Sequence, residues 1–180
     1  MINHKHSATT VYFFLVRQAR KTEFYQKYGI PDNSEGRFEM ILLHVILLFR
    51  FLRGSRDASM FRDQVFDVFI ADLDRSLRDM GIPDTSVGRR VREMARNFYG
   101  RAKAYDEALD GQKELKDVVH RNLFGTVNPT DYHLSSMVRY ILVSENFLKK
   151  FDFKQIETIY TAFPDISSAI KLQDIDASDA

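Results

Sequence analysis

Five histidines and a scatter of carboxylates are the residues of this chain able to bind a metal or move protons. The histidines are His4, His6, His44, His120 and His133. No HExxH pair or other i, i+4 ligand pair joins them, so no helix face offers two imidazoles to one zinc ion. His44 stands alone in an apolar run, which predicts a hydrogen-bonded core histidine rather than a ligand. His120 and His133 are placed to meet across a turn, with nothing else in the sequence drawing them together. Asp63, Asp67 and Asp74 fall near one side of a single helical stretch. Asp67 and Asp74 are two turns apart, about 10 Å along the axis, too far for one dinuclear centre within a helix. A helix-bundle iron site would also need Glu-x-x-His pairs from partner helices, and the sequence contains none. These aspartates read as a solvated acidic face. Asp72 lies on the side of Phe61, Val65 and Val68. It is expected partly buried beside an arginine, because an unpaired buried carboxylate is costly.

Nucleophilic chemistry has no more support. The chain has no cysteine, which excludes disulfides, thiol nucleophiles and cysteine-based zinc sites. Ser135 and Ser136 sit at a predicted helix start, outside any G-x-S-x-G context. Neither G-x-G-x-x-G nor a Walker loop occurs. No catalytic residue, cofactor site or metal site is assigned, and the chain is expected not to be an enzyme. Cationic residues are another matter. Arg89, Arg92, Arg96 and Lys103 align at i, i+3, i+7 and i+14, with Arg90 and Arg101 nearby. From Asp84 to Lys103 six basic residues face two acidic ones, a local net of +4. This is either a solvated helix face or a partner-binding face for an acidic protein, ribosomal RNA or anionic lipid.

Bulk composition narrows the class. Lys and Arg number 26 against 25 Asp and Glu, a net of +1, which argues against a DNA-binding protein. The most apolar run, Met40 to Leu52, is interrupted by His44 and Arg50 and falls short of the roughly 20 residues needed to span a bilayer. It reads as a buried helix, and membrane contact is expected to be peripheral at most. The N-terminal MINHKHSATT has no signal-peptide pattern. The absence of cysteine and of any leader suits the cytoplasm.

The elements that must position these residues are helices. Tyr12, Leu15, Val16 and Ala19 mark a first helix over 8–28. Gly29, Ile30 and Pro31 stop it, and Asp32 with Glu35 forms a capping box for a second. The punctuation recurs at Gly81-Ile82-Pro83-Asp84. That is either a helix-pair duplication or two turns built the same way. A third helix, 57–80, carries the stripe Phe66, Phe69, Ile70, Leu73, Leu77, Met80. A fourth, 85–109, carries Val87, Val91, Met94, Ala95, Phe98, Ala102, Tyr105 and Leu109, with Gly100 placed for close packing. Shorter helices follow over 113–123, from Thr130 or Asp131 through Leu134, Met137, Val138, Ile141, Leu142 and Leu148, and over 153–163. Phe69, Leu73, Val91, Met94 and Phe98 are expected to share one core. The prediction is an all-α single compact domain of six to seven helices over residues 9–165, with a flexible N-terminus over 1–8 and a disordered tail over 166–180.

Three segments also carry a resemblance: GRFEMILLHV (Gly36 to Val45), ADLDRSLRDMGI (Ala71 to Ile82) and VGRRVREMARNFYGRAKAY (Val87 to Tyr105). In their order and spacing the chain resembles the ubiquinol–cytochrome c chaperone family, the assembly factors of respiratory complex III, from Val11 to about Phe124. The resemblance implies an all-helical, non-enzymatic binding protein. Its mitochondrial members help newly made cytochrome b and act near ribosomes at the inner membrane. By this resemblance the partners would be cytochrome b as an apolar client, with the ribosome or a second assembly factor beside it. The absence of a long presequence suggests a bacterial relative in the cytoplasm or at the inner face of the membrane. The alternative reading is a ribosome- or RNA-associated helical binding protein.

Overall fold

Helix α3 (Ser34–Phe51) sets the architecture. Residues 40–48 are buried without interruption, on every side of the helix. A helix apolar all round must be covered all round. The computed structural model, which describes residues 4–54, 56–161 and 163–171, has α1 (His4–Ala19), α5 (Asp84–Leu109), α6 (Leu115–Leu123) and α7 (Asp131–Lys149) packed on it. Helix α4 (Arg56–Asp79) lies along α1 and pairs with α5 as a hairpin. Short elements close the rest: α2 (Thr22–Gln26), a 3₁₀ segment (Phe153–Thr161) against α1, and α8 (Ile166–Lys171) against α7. Among the described residues there is no strand, and no helix is long and apolar enough to cross a membrane.

The helix boundaries differ from expectation in four places, each for a local reason. The first helix breaks at Lys21, whose ψ of 128° leaves the helical region, so 8–28 becomes α1 and α2. Helix α1 begins at His4, and Ser7 and Ala8 are buried. The Ser7 hydroxyl donates to Glu157 Oε1 at 2.6 Å, so the flexible segment expected over 1–8 is helical from residue 4, and residues 1–3 lie outside the described residues. In the segment expected to be disordered, 166–180, Ile166 and Ala169 are buried on α8, which Asp165 caps by accepting from the Ser167 and Ser168 amides. Residues 172–180 lie outside the described residues. At α3 the cap is Asn33, accepting from the Gly36 amide at 2.9 Å. Asp32 instead accepts from Arg37 Nε at 2.7 Å, so no capping box forms with Glu35.

The apolar stripes hold with corrections at their edges. On α4 the buried line is Phe61, Val65, Phe69, Leu73 and Leu77, with Phe66 and Ile70 half-buried and Met80 59% exposed. Phe69, Leu73 and Phe98 share one core, Met94 packs on its edge, and half-buried Val91 stays outside it. Gly100 faces open space rather than a neighbouring helix. Leu142 is 48% exposed, because α7 is covered on the side of Leu134, Met137, Ile141 and Leu148.

The repeated turn words prove to be two different constructions. Gly29 and Gly81 both adopt the left-handed conformation, with φ of 72° and 77°. At the second turn the Ile82 amide donates to the Leu77 carbonyl and the Gly81 amide to the Arg78 carbonyl, closing a Schellman motif. Past the turns the likeness ends. A Cβ on Gly36 would lie 2.1 Å from the Pro31 carbonyl oxygen, whereas one on Gly88 would meet only Arg92 Nη1 at 3.6 Å. Gly36→Ala is therefore expected to destabilise the fold, and Gly88→Ala to stabilise it by about 0.5–1 kcal/mol, as read by urea unfolding.

His44 is the buried polar group that this packing has to satisfy. It is 0% exposed. Its Nδ1 lies 2.7 Å from the Met40 carbonyl oxygen and its Nε2 2.7 Å from the Tyr140 hydroxyl. A carbonyl only accepts, so Nδ1 carries the proton and Nε2 accepts from Tyr140. The Tyr140 oxygen in turn accepts from Gln18 Nε2 at 3.1 Å, which also reaches the Pro164 carbonyl. One chain of hydrogen bonds thus ties α1, α3, α7 and the turn before α8. Burial pushes the His44 imidazole down to about 4. The unfolded chain takes up a proton below its ordinary value near 6.5 while the folded chain does not. Stability is accordingly full above that value and falls as the pH drops toward 4, by about 3 kcal/mol. Urea melts between pH 7 and pH 4 should show this slope, and His44→Gln should flatten it.

Candidate functional site

The α4–α5 hairpin is longer than the helices beneath it. Helices α4 and α5 have 24 and 26 residues, against 16 and 18 for α1 and α3. At 1.5 Å per residue the hairpin must overhang. Leu77 and Val87 are buried at its far end yet belong to no part of the main core. Along the first half of α5, Val87 is the one buried residue. The apolar stripes of both helices therefore run on past the surface able to cover them, and a groove opens on each side of the crossing with α3.

The groove under the overhang encloses about 380 Å³. Its apolar lining is Phe38 and Ile41 from α3, Leu73, Leu77 and Met80 from α4 and its C-terminal end, and Met94 from α5. Tyr12, Asp72, Arg20, Arg37 and Glu35 contribute its polar edge. The Tyr12 hydroxyl donates to Asp72 Oδ2 at 2.7 Å. This phenol, not the expected arginine, is the partner of Asp72. Burial first and then the Asp72 carboxylate push the Tyr12 phenol well above its ordinary value, so it stays a donor. Methionine side chains are unbranched and polarizable, and suit apolar surfaces that accept varied partners.

The second groove, about 810 Å³, lies toward the other end of the hairpin. Phe49, Phe66, Phe98 and Tyr99 line it, with Phe98 5.4 Å from Phe49 and 5.5 Å from Phe66 between ring centroids. Its edge is ionic and mostly self-paired. Arg50 donates to Glu145 at 2.7 Å, Asp110 at 2.5 Å and Asp106 at 3.4 Å, and Arg53 also meets Asp106. Asp110 and Glu145 hold the Arg50 guanidinium above its ordinary value.

The residues singled out from the sequence separate into classes. Arg89, Arg92 and Arg96 are all exposed on α5, with no ion-pair partner among the described residues. Lys103 stands apart from them. It pairs with Glu107 at 3.8 Å and sits at the ionic edge of the second groove. Arg101 turns inward and donates to Glu39 at 2.6 Å, a glutamate only 4% exposed. Burial pushes the Glu39 carboxyl up, against the opposing pull of Arg101. His120 is exposed on α6 while His133 packs over Gly29, and no hydrogen bond or ring contact joins them among the described residues. Asp63 and Asp67 are exposed, and Asp74 accepts from Arg78. The side chains of His4 and His6 lie outside the described residues. Among those described, no group of three His, Asp or Glu could hold a metal ion.

The overhang groove was not read from the sequence. Its signal was there in the lengths: stripes of over six turns cannot be covered by partners of four or five. The match that decides the family is to the profile described as ubiquinol-cytochrome C chaperone, which covers residues 26–162. The chain belongs to that family. Ubiquinol-cytochrome-c reductase complex assembly factor 1 of Xenopus laevis is 25% identical to this chaperone-family chain over 150 residues, which are 82% of the chain and 75% of the relative. The crystal structure of the Cbp3 homolog from Brucella abortus aligns with a TM-score of 0.80 at 28% sequence identity, covering 91% of this chain and 92% of that one. The all-α architecture is thus shared with a solved structure. The family match spans α3, the α4–α5 hairpin, the second groove and the apolar lining of the first, whose Tyr12 and Arg20 lie before it.

Two arginines of the chaperone's α5 give a direct check of this division. Arg101→Ala leaves Glu39 buried without its partner and should cost about 2–4 kcal/mol in chemical unfolding. Arg92→Ala removes an exposed charge and should cost under about 1 kcal/mol.

Proposed function

We propose that this protein is an assembly chaperone that holds an apolar segment of newly made cytochrome b in the groove under the α4–α5 overhang, before that subunit joins ubiquinol–cytochrome c reductase. One observation carries the reading. Exposed Met80 and half-buried Met94 and Phe38, over buried Leu77, form an apolar surface reaching solvent at a place the fold leaves uncovered. Family membership supplies the process, and the groove supplies a place for its client.

The chemistry suits such a client. A membrane-spanning segment outside the bilayer exposes apolar side chains on all sides of its helix, and burying them is worth about 25 cal/mol per Å². The groove offers flexible methionines where an exact fit to one sequence would restrict the client. The polar edge of Tyr12, Asp72 and Arg37 marks where the client's polar flank would lie. No proton transfer or bond cleavage is needed for holding and release.

Cells lacking the protein should contain less assembled ubiquinol–cytochrome c reductase while other respiratory complexes are spared. Met80→Asp with Met94→Asp should fail to restore the reductase. Met94 is half-buried against the core, so Met80→Asp alone, at a 59% exposed position of little weight in stability, should show much of the same loss with a near-native melt. A deletion with normal reductase levels would remove the functional reading. Full rescue by the double aspartate variant would remove the groove from it.

A further inference from the structure

We propose that the exposed arginines of α5 dock this protein on bilayer surfaces rich in anionic lipid. The inference is separate from the client groove and uses the opposite side of the helix.

Arg89, Arg92 and Arg96 form one line along α5, about 10 Å long by the rise per residue. All three are exposed, and none has an ion-pair partner among the described residues. What sets them apart is their alignment on one exposed face of a single helix. Arg37, Arg50, Arg53, Arg78 and Arg101 each meet a carboxylate. Over residues 85–100 Glu93 is the one acid of α5, and Arg90 offsets it in the local charge. Gly88 and Gly100 border the stripe, and a Cβ built on Gly100 would meet open space. The face between the arginines is therefore of low relief, and the Arg92 guanidinium lies over Gly88.

That shape fits a plane of phosphates. Guanidinium forks pair with phosphate oxygens, and each Arg near an anionic leaflet contributes about 1 kcal/mol. Three residues beyond Arg96, Tyr99 is 59% exposed, and tyrosine is suited to the boundary between headgroups and acyl chains. An RNA partner fits less well. Sequence-specific RNA recognition stacks unpaired bases on aromatic faces, and the deep, narrow major groove of duplex RNA excludes side chains. The stripe itself, Arg89, Arg92 and Arg96, holds no aromatic side chain, and Tyr99 is the one aromatic beside it.

The test is co-sedimentation of the full chain with vesicles of phosphatidylcholine, with and without phosphatidylglycerol. Wild-type protein is expected to bind the anionic vesicles, to ignore the neutral ones and to release with added salt. Replacing Arg89, Arg92 and Arg96 with Gln should lower the partition coefficient about 100-fold while leaving the thermal melt near that of wild type. A control variant, Lys27→Gln, Arg56→Gln and Lys150→Gln, removes the same net charge from exposed positions off the stripe and should lose far less. Unchanged partition of the folded stripe variant would overturn the proposal, as would equal losses in the two variants. So would wild-type protein that binds ribosomal RNA and leaves anionic vesicles alone.

Discussion

The constraint on which the structure depends is that α3 has no face for water. Nine consecutive residues, 40–48, are buried, so the other helices are arranged as its cover. Burial of this kind supplies most of the driving force for folding, but it also traps His44 in the middle of an apolar helix. The fold answers with a satisfied network. Met40, Tyr140, Gln18 and Pro164 complete hydrogen bonds across three helices and a turn. A core that must place one imidazole between two fixed partners has little freedom to slide, so the polar chain also fixes how α1 and α7 sit on α3.

Covering α3 consumes α1, α6, α7 and the second half of α5. What remains is the outer part of the α4–α5 hairpin, whose own stripes have no further helix to meet. Its charges divide in the same way. Where α5 crosses α3, its ions are paired and partly buried, as with Arg101 and Glu39 or Arg50 and Asp106. Beyond the crossing, Arg89, Arg92 and Arg96 are left to solvent. One helix is thus structural at one end and free to meet other molecules at the other, and the change occurs near Phe98, where the main core ends.

Much of this could be read from residues alone. Helical periodicity located α4, α5 and α7, and the Gly-Ile-Pro turns placed two of the chain reversals. The segments resembling the chaperone family lie within the region that the family profile matches. What escaped was set by contacts distant in sequence. Lys21 breaks the first helix where periodicity runs on. Ile166 and Ala169 find cover on α7, which composition could not foresee. Asp72 was expected to seek an arginine but met the hydroxyl of Tyr12, 60 residues away. Met80 and Met94 looked like ordinary core positions because a stripe records which face is apolar, not whether anything arrives to cover it. Gly36 and Gly88 occupy matching places in matching words, and only the approach of the Pro31 carbonyl distinguishes them.

The chain carries its own reporters for the central claim, that the overhang groove is where an apolar client binds. Met80 and Met94 line the groove, Met60 is exposed elsewhere on α4, and Met40 and Met137 are in the core. Methionine-methyl NMR spectra would be recorded while a peptide of a cytochrome b membrane span, kept soluble by terminal lysines, is titrated in. The account predicts shifts at Met80 and Met94, with Met60 unmoved. Shifts at Met60 with Met80 and Met94 unchanged would place the client elsewhere and contradict it.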